Sequence, residues 1–338
     1  MAPSKNVSKK SAPNKKTELP KKPAPAVHSF QGIIFDIDNV LIDTRLSYLD
    51  TIRWTIEIFL SSGKLPLYQA AARETQPFLL SHEDVHRFKL LGGFNDDWDC
   101  CYGLLIYLLS LEAAPRTMEA LKKKADFTGL LKKIKDRPLR VDGVVKLMGR
   151  PSYVTIEKIG RIFQEVYLGK ELFQRIEGRK PFYWKKRGLI HKEKPVFRAP
   201  FLRKLKEAGL RLGIATGRPH FEAAYSLKEL GILEFFDCMT TMDDVRRQER
   251  ESRTSLRKPH PYSILETAKK LGLKEGLMYI GDLPDDVLAA NRAKESVGIA
   301  SVAFIGLDSD PKSSRAEMEK QKPDFVLQKP ADLAKIVL

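Results

Sequence analysis

The chain has 338 residues, 43% of them hydrophobic, with a formal net charge of +16 at neutral pH. That is enough for one large domain or two ordinary ones with buried cores. The longest apolar stretch, GLLIYLLSL at residues 103–111, falls far short of the roughly 20 residues that span a bilayer, so no transmembrane helix and no membrane partner are expected. Only three cysteines occur, Cys100, Cys101 and Cys238, without the spacing of a zinc site or disulfide framework. The N-terminus has no apolar signal region, and its lysines, interrupted by prolines, do not form an Arg-rich transit pattern. A cytoplasmic location is the expectation.

In chain order, residues 1–28 come first, with seven lysines, one acid (Glu18) and almost nothing to bury. They read as a disordered Lys/Pro-rich tail, a solvated extension or else a contact for an acidic partner such as nucleic acid. Residues 31–36 then form a short apolar strand pattern. Comparable runs recur at 211–216, 235–242, 277–282, 301–306 and 324–328. They are continuous rather than alternating, as in strands covered on both faces. From residue 201 onward they alternate with helical patterns, which predicts a doubly wound parallel α/β sheet. Residues 44–197 break that alternation with helical periodicity alone and no convincing strand. The expected organisation is an α/β core over 29–43 and 198–338, with an α-helical cap over 44–197.

Three segments of the cap carry signals that have plainer readings. HEDVH (82–86) fits a zinc-binding spacing, yet Ser81 as N-cap followed by Glu83 and Asp84 describes an ordinary helix start. GGFNDDWD (92–99) is a loop and helix start capped by Asn95 or Asp96 with Trp98 packed inside the cap, or a loop closing over substrate. RKPFYWKKRGLIHKEK (179–194) interleaves aromatics with cations, as a nucleic-acid contact does, but equally suits the linker returning to the core. Cys100 and Cys101 read as apolar filler.

In an open parallel sheet, ligands bind beyond the carboxyl ends of the strands. The residues just past the predicted strands are Asp36 and Asp38; Thr216, Gly217 and Arg218; and Asp282, Asp285 and Asp286. Lys258 precedes the helix leading to the fourth strand. Several carboxylates with one lysine are unfavourable together unless a cation joins them, and Mg2+, a hard ion taking oxygen ligands, suits the set. A metal, a lysine and a helix N-terminus near Pro219 form a site for a phosphoryl group. Asp36 then reads as a nucleophile and Asp38 as the acid that protonates the leaving oxygen.

The ordered stretches FDIDNVL, GIATGRP, RKPHP and GDLPDD resemble the four signature motifs of the haloacid dehalogenase superfamily, subfamily I, with a helical cap inserted after the first. The resemblance extends over residues 31 to about 306. FKLLGGFNDDWD, FQEVYLG and GIATGRPHFEAA are similar to phosphoglycolate-phosphatase-like hydrolases within it. It implies a Rossmann-like core, with Asp36 as nucleophile and magnesium ligand and Asp38 as acid/base whose backbone carbonyl reaches the metal. It further implies that Thr216, with Gly217, holds the transferred phosphoryl, and that Lys258 orients Asp36 and that group. Asp282 and Asp286 match further metal ligands, and Asp285 an auxiliary acid. Arg218 is expected to contact substrate or brace its loop. Two departures stand out: Asn39 replaces a glycine, which asparagine's tolerance of left-handed backbone permits, and RRQERESRTSL before Lys258 is longer than usual.

The expected activity is hydrolysis of a small phosphorylated metabolite by a Mg2+-dependent phosphatase through a phosphoaspartyl intermediate, the cap selecting the substrate. The alternatives are a phosphomutase using the same acids, a nucleic-acid-binding protein using the basic tail, or a polynucleotide phosphatase.

Overall fold

A computed structural model of the protein describes residues 30–338 apart from 65, 71–78, 90, 92–93, 95, 134–139 and 308–310. The tail expected over residues 1–28 therefore lies outside the described residues, as does Asn95, one of the two expected caps. The first apolar run becomes β1 (Gly32–Phe35), whose Ile33, Ile34 and Phe35 have no exposed surface. A strand buried on both faces must sit in the middle of a covered sheet, and β1 does. The later runs form β4 (Arg211–Ala215), β5 (Cys238–Thr240), β6 (Leu277–Gly281), β7 (Ile299–Phe304) and β8 (Phe325–Leu327), after the two-residue strands β2 (Ile42–Asp43) and β3 (Lys194–Pro195).

The six longer strands pair in the order β5-β4-β1-β6-β7-β8, every neighbour parallel. The chain builds outward from β1 on one side and then crosses back to β6 on the other. The crevice between the carboxyl ends of β1 and β6 is therefore the switch point at which such sheets bind ligands. The register sets Phe35 beside Ile214 and Ile280, so Asp36, Thr216 and Asp282 leave adjacent strand ends. Helices α8 (Ala199–Glu207), α9 (His220–Glu229), α10 (Met242–Ser252), α11 (Tyr262–Leu271), α12 (Pro284–Ala293), α13 (Pro311–Glu319) and α14 (Pro330–Val337) complete this layer, numbered after the seven below. The long segment before Lys258 begins as the second half of α10, which is closed by Arg253 in the left-handed conformation at φ 55°, and continues beyond the helix to Leu256.

Between β2 and β3 lie α1 (Tyr48–Ser61), α2 (His82–Lys89), α3 (Asp97–Ser110), α4 (Met118–Lys124), α5 (Phe127–Lys133), α6 (Arg140–Met148) and α7 (Ile156–Glu177). They gather around an apolar cluster of their own that includes Ile56, Phe88, Leu104 and Phe163, separate from the clusters flanking the sheet. Helix α3 is its centre. Nine of its residues are buried, from Cys100 to Leu108, because its sequence is apolar around the whole circumference rather than along one stripe. Asp96 caps it, accepting from the backbone N–H groups of Trp98 and Asp99, and the Trp98 ring lies against Gly160 of α7. Helix α2 starts with Ser81 and Asp84 bonded reciprocally, side chain to backbone, at 3.1 and 2.8 Å. His82 is held 2.7 Å from Asp50.

Helix α7 is interrupted at Gly169, with φ 75° and ψ 176°, a region open essentially to glycine alone. The interruption lets residues 179–187 fold back along the helix, Lys170 N–H donating to the Lys186 carbonyl at 3.0 Å. The buried Glu165 carboxylate anchors this return by accepting from the backbone N–H groups of Phe182, Tyr183 and Trp184. Of the aromatics there, Trp184 is buried and Phe182 is 65% exposed. A Cβ at position 169 would lie 2.0 Å from the Gly188 nitrogen. Gly169→Ala should thus destabilise the protein by about 3 kcal/mol or more, read as a lowered urea midpoint, whereas Gly178→Ala, with open space around it, should cost less.

Candidate active site

β1 ends where its backbone still pairs with β6, Asp36 N–H donating to the Ile280 carbonyl at 2.9 Å, and the Asp36 side chain enters the crevice. The Asp36, Asp282 and Asp286 carboxylates each place an oxygen within 4.8 Å of the other two. Lys258 reaches into the same space, its ammonium 3.1 Å from Asp36 Oδ1 and 2.9 Å from Asp286 Oδ1. Asp286 is buried in the first turn of α12, fixed by the Tyr279 hydroxyl at 2.8 Å and the Leu283 N–H at 3.0 Å. Asp285, one residue earlier in that turn, is outside the group of three.

Burial dominates the electrostatics. It pushes the Asp36 carboxyl up to about 7 against the pull of Lys258, with Asp286 and Asp38 pushing the same way. Burial, then Asp286 and Asp36, drives Asp282 well above the carboxylate range, while its burial notwithstanding Lys258 is raised by Asp286 and Asp36. The Asp36 Oδ1 atom is buried and accepts no well-directed hydrogen bond, even with Lys258 beside it. A crowded, largely buried set of three carboxylates with a single lysine among them fits a divalent cation such as Mg2+. Asp36, Asp282 and Asp286 are the residues that could hold it.

Asn39 does more than tolerate its backbone. It adopts φ 53°, and its side-chain amide donates to Asp282 Oδ2 at 3.1 Å while its carbonyl accepts from Thr44 Oγ1 at 2.9 Å. No short motif marks that contact, which joins residues 243 positions apart. Thr216 is 1% exposed, its Oγ1 accepting the Arg218 N–H at 3.2 Å. It precedes α9, whose N-cap is Pro219.

Asp38 and Arg218 behave differently from the carboxylate group. Arg218 Nε and Nη2 donate to Asp38 Oδ1 at 2.9 and 2.6 Å, and Asp38 is not part of the three-carboxylate cluster. The remaining Arg218 donors go to Glu193, the Tyr167 hydroxyl and Ser226. At 2% exposure, Arg218 braces its neighbours through these hydrogen bonds. Beside it, Glu222 accepts from Tyr48 and Gln164, and burial raises its carboxyl to about 7. Tyr167, Glu193 and Glu222 lie in the stretches FQEVYLG, RKPFYWKKRGLIHKEK and GIATGRPHFEAA, but nothing in those stretches, or around Ser47 and Tyr48, announces that folding brings the five together. A cleft of about 530 Å³ is walled by Trp98, Lys158, Arg161, Gln164 and Tyr183 of the helical layer, Gln164 being the residue that donates to Glu222.

Residues 30–294 match the family model of haloacid dehalogenase-like hydrolases. The chain is 31% identical over 137 residues to the pyrophosphatase PpaX of Bacillus cereus, a stretch covering 40% of this chain and 56% of that protein. It therefore spans about half the length of the curated relatives it matches. Phosphatase Tt82 from Thermococcus thioreducens superposes with a TM-score of 0.55 at 23% identity, over 86% of this chain and 98% of that one. A putative phosphoglycolate phosphatase from Lactobacillus delbrueckii subsp. bulgaricus does so at 0.51 and 18%, over 92% and 99%. These likenesses carry the fold: a parallel Rossmann-like sheet with a helical cap. With the family model matched over most of its length, the chain belongs to the haloacid dehalogenase-like hydrolases.

Proposed function

We propose that the protein is a Mg2+-dependent phosphatase acting on a small phosphomonoester through a phosphoaspartyl intermediate. The observation that carries this reading is the meeting of Asp36, Asp282, Asp286 and Lys258 in the switch-point crevice. An Asp36 oxygen attacks phosphorus, the bond to the leaving oxygen breaks, and Asp38 gives that oxygen its proton. Water then attacks the phosphoaspartate, Asp38 takes a proton from it, and phosphate departs with Asp36 restored. Lys258 keeps the Asp36 carboxylate aimed and neutralises part of the phosphoryl charge, and Thr216 and Gly217 contact the transferred group at the neighbouring strand end. Asp36, Asp282, Asp286 and the Asp38 carbonyl would hold a divalent cation, which would supply charge compensation for the phosphoryl group. The helical cap selects the substrate.

Phosphate release from a panel of phosphorylated metabolites, with magnesium present, tests this. Turnover of one or more phosphomonoesters is expected, with sugar or acid phosphates hydrolysed rather than isomerised. Absence of phosphate release across the panel, with isomerised product instead, would overturn it.

A further inference from the structure

We propose that Glu193 and Tyr167 are positioning residues for Asp38: acting through Arg218, they hold its carboxylate in the orientation used for proton transfer and link that orientation to the seating of the helical layer. The inference rests on the reading of Asp38 as acid/base.

Arg218 is the largest of the fully buried side chains, and the fork of a guanidinium fixes direction as well as charge. Its Nε and Nη2 converge on one oxygen of Asp38, at 2.9 and 2.6 Å. Its opposite edge is taken by Glu193, Nη1 to Oε2 at 3.2 Å and Nη2 to Oε1 at 3.0 Å, with Nη1 also shared by Tyr167 and Ser226, each at 3.1 Å. Every N–H of the group is thereby committed. The Arg218 and Glu193 side chains are 1% and 2% exposed, whereas Asp38 is 31% exposed. Charge fixed in the interior thus orients a carboxylate that stands at the mouth of the site.

Glu193 is itself held from the helical layer. Besides Arg218 it accepts from the Tyr167 hydroxyl of α7 at 2.9 Å and from Ser47 Oγ at 3.1 Å. Ser47 immediately precedes α1, on the passage leading out of the sheet, and Glu193 lies just before β3, on the passage leading back. One carboxylate therefore ties both crossings and α7 to the loop after β4. The Tyr48 ring closes the assembly, 5.0 Å from the guanidinium and stacked 4.6 Å from Tyr167. A movement of the helical layer that draws Tyr167 or Ser47 away must turn Glu193, and with it Arg218 and Asp38.

If the network orients a proton donor, its loss matters most where the leaving group needs a proton. The test compares kcat/KM, which reports formation of the phosphoaspartate, for 4-nitrophenyl phosphate and for an alkyl phosphate in the full-length protein with magnesium. Nitrophenolate departs unaided, whereas an alkoxide does not. Glu193→Gln should lose about 100-fold on the alkyl ester and less than about 10-fold on the aryl ester. Tyr167→Phe removes one hydroxyl and leaves the buried ion pair, so it should remain folded and lose about 10-fold on the alkyl ester with little change on the aryl one. Thermal midpoints identify folded variants, and Tyr167→Phe decides the matter if Glu193→Gln does not fold. Equal losses on both esters in a folded variant, or none on either, would overturn the inference while leaving the phosphatase reading intact. A wild type that releases phosphate from neither ester would overturn that reading, and this inference with it.

Discussion

Asp36→Asn should lower magnesium-supported phosphate release by about 10⁴-fold or more while leaving the protein folded. The carboxamide has nearly the same shape and can keep contact with Lys258, but it has no oxygen charge with which to attack phosphorus. Neighbouring groups cannot replace it. Asp38 is bound to Arg218 and Asp286 to Tyr279, Leu283 and Lys258, and neither is the residue that immediately follows β1. A phosphate-release assay measures the effect, and retention of more than about 1% of wild-type turnover would exclude Asp36 as nucleophile. Lys258 remains paired with Asp286 in this variant, so the ammonium is not left stranded. The substitution also removes a carboxyl raised by burial to about 7, and the metal-free variant should be at least as stable as the wild type at pH 8.

Withdrawal of magnesium should abolish turnover and also expose a pH dependence of stability with a defined sign. The Asp36 carboxyl is raised from 3.8 to about 7 on folding, so the folded state holds its proton more tightly than the unfolded chain does. Its contribution to stability is fully present below about pH 4 and is lost as pH rises through 7. Asp282 is displaced in the same direction. The metal-free protein should therefore lose stability as pH rises from 4 to 8, by roughly 4 kcal/mol in all from Asp36, of which about 1 kcal/mol falls between pH 6 and 8. A cation bound by the ionised carboxylates reverses the trend, because it competes with protons and binds only the folded state. Thermal midpoints at pH 6 and 8, each with chelator and with magnesium, measure this. The increment on adding magnesium should be larger at pH 8. An increment independent of pH would mean that the cation is not held by these carboxylates.

Local sequence carried much of the architecture. Continuous apolar runs such as residues 31–36 can be satisfied only by strands covered on both faces, and the six runs recognisable in the chain become the six strands of the parallel sheet. The carboxylates were legible for a related reason: in a parallel sheet every strand points its carboxyl end the same way, so the residues after each apolar run belong to one edge, whereas Lys258, which follows no strand, was named from the stretch RKPHP. The two-residue pair β2 and β3 was not legible, because two residues have no periodicity and their pairing joins segments about 150 positions apart. Arg218 could be named from sequence but its direction could not. Whether it faced a substrate or its own protein depended on Glu193, Tyr167 and Ser226 arriving beside it. Asn39 likewise announced a left-handed turn, though not its bond to Asp282. Sequence by itself determined which chemical groups are delivered to the sheet edge, since delivery follows from strand pattern and chain direction. Tertiary structure alone decided how they are aimed, because orientation is set by buried charge and hydrogen-bond partners drawn from distant segments, and those have no signature until the chain has folded.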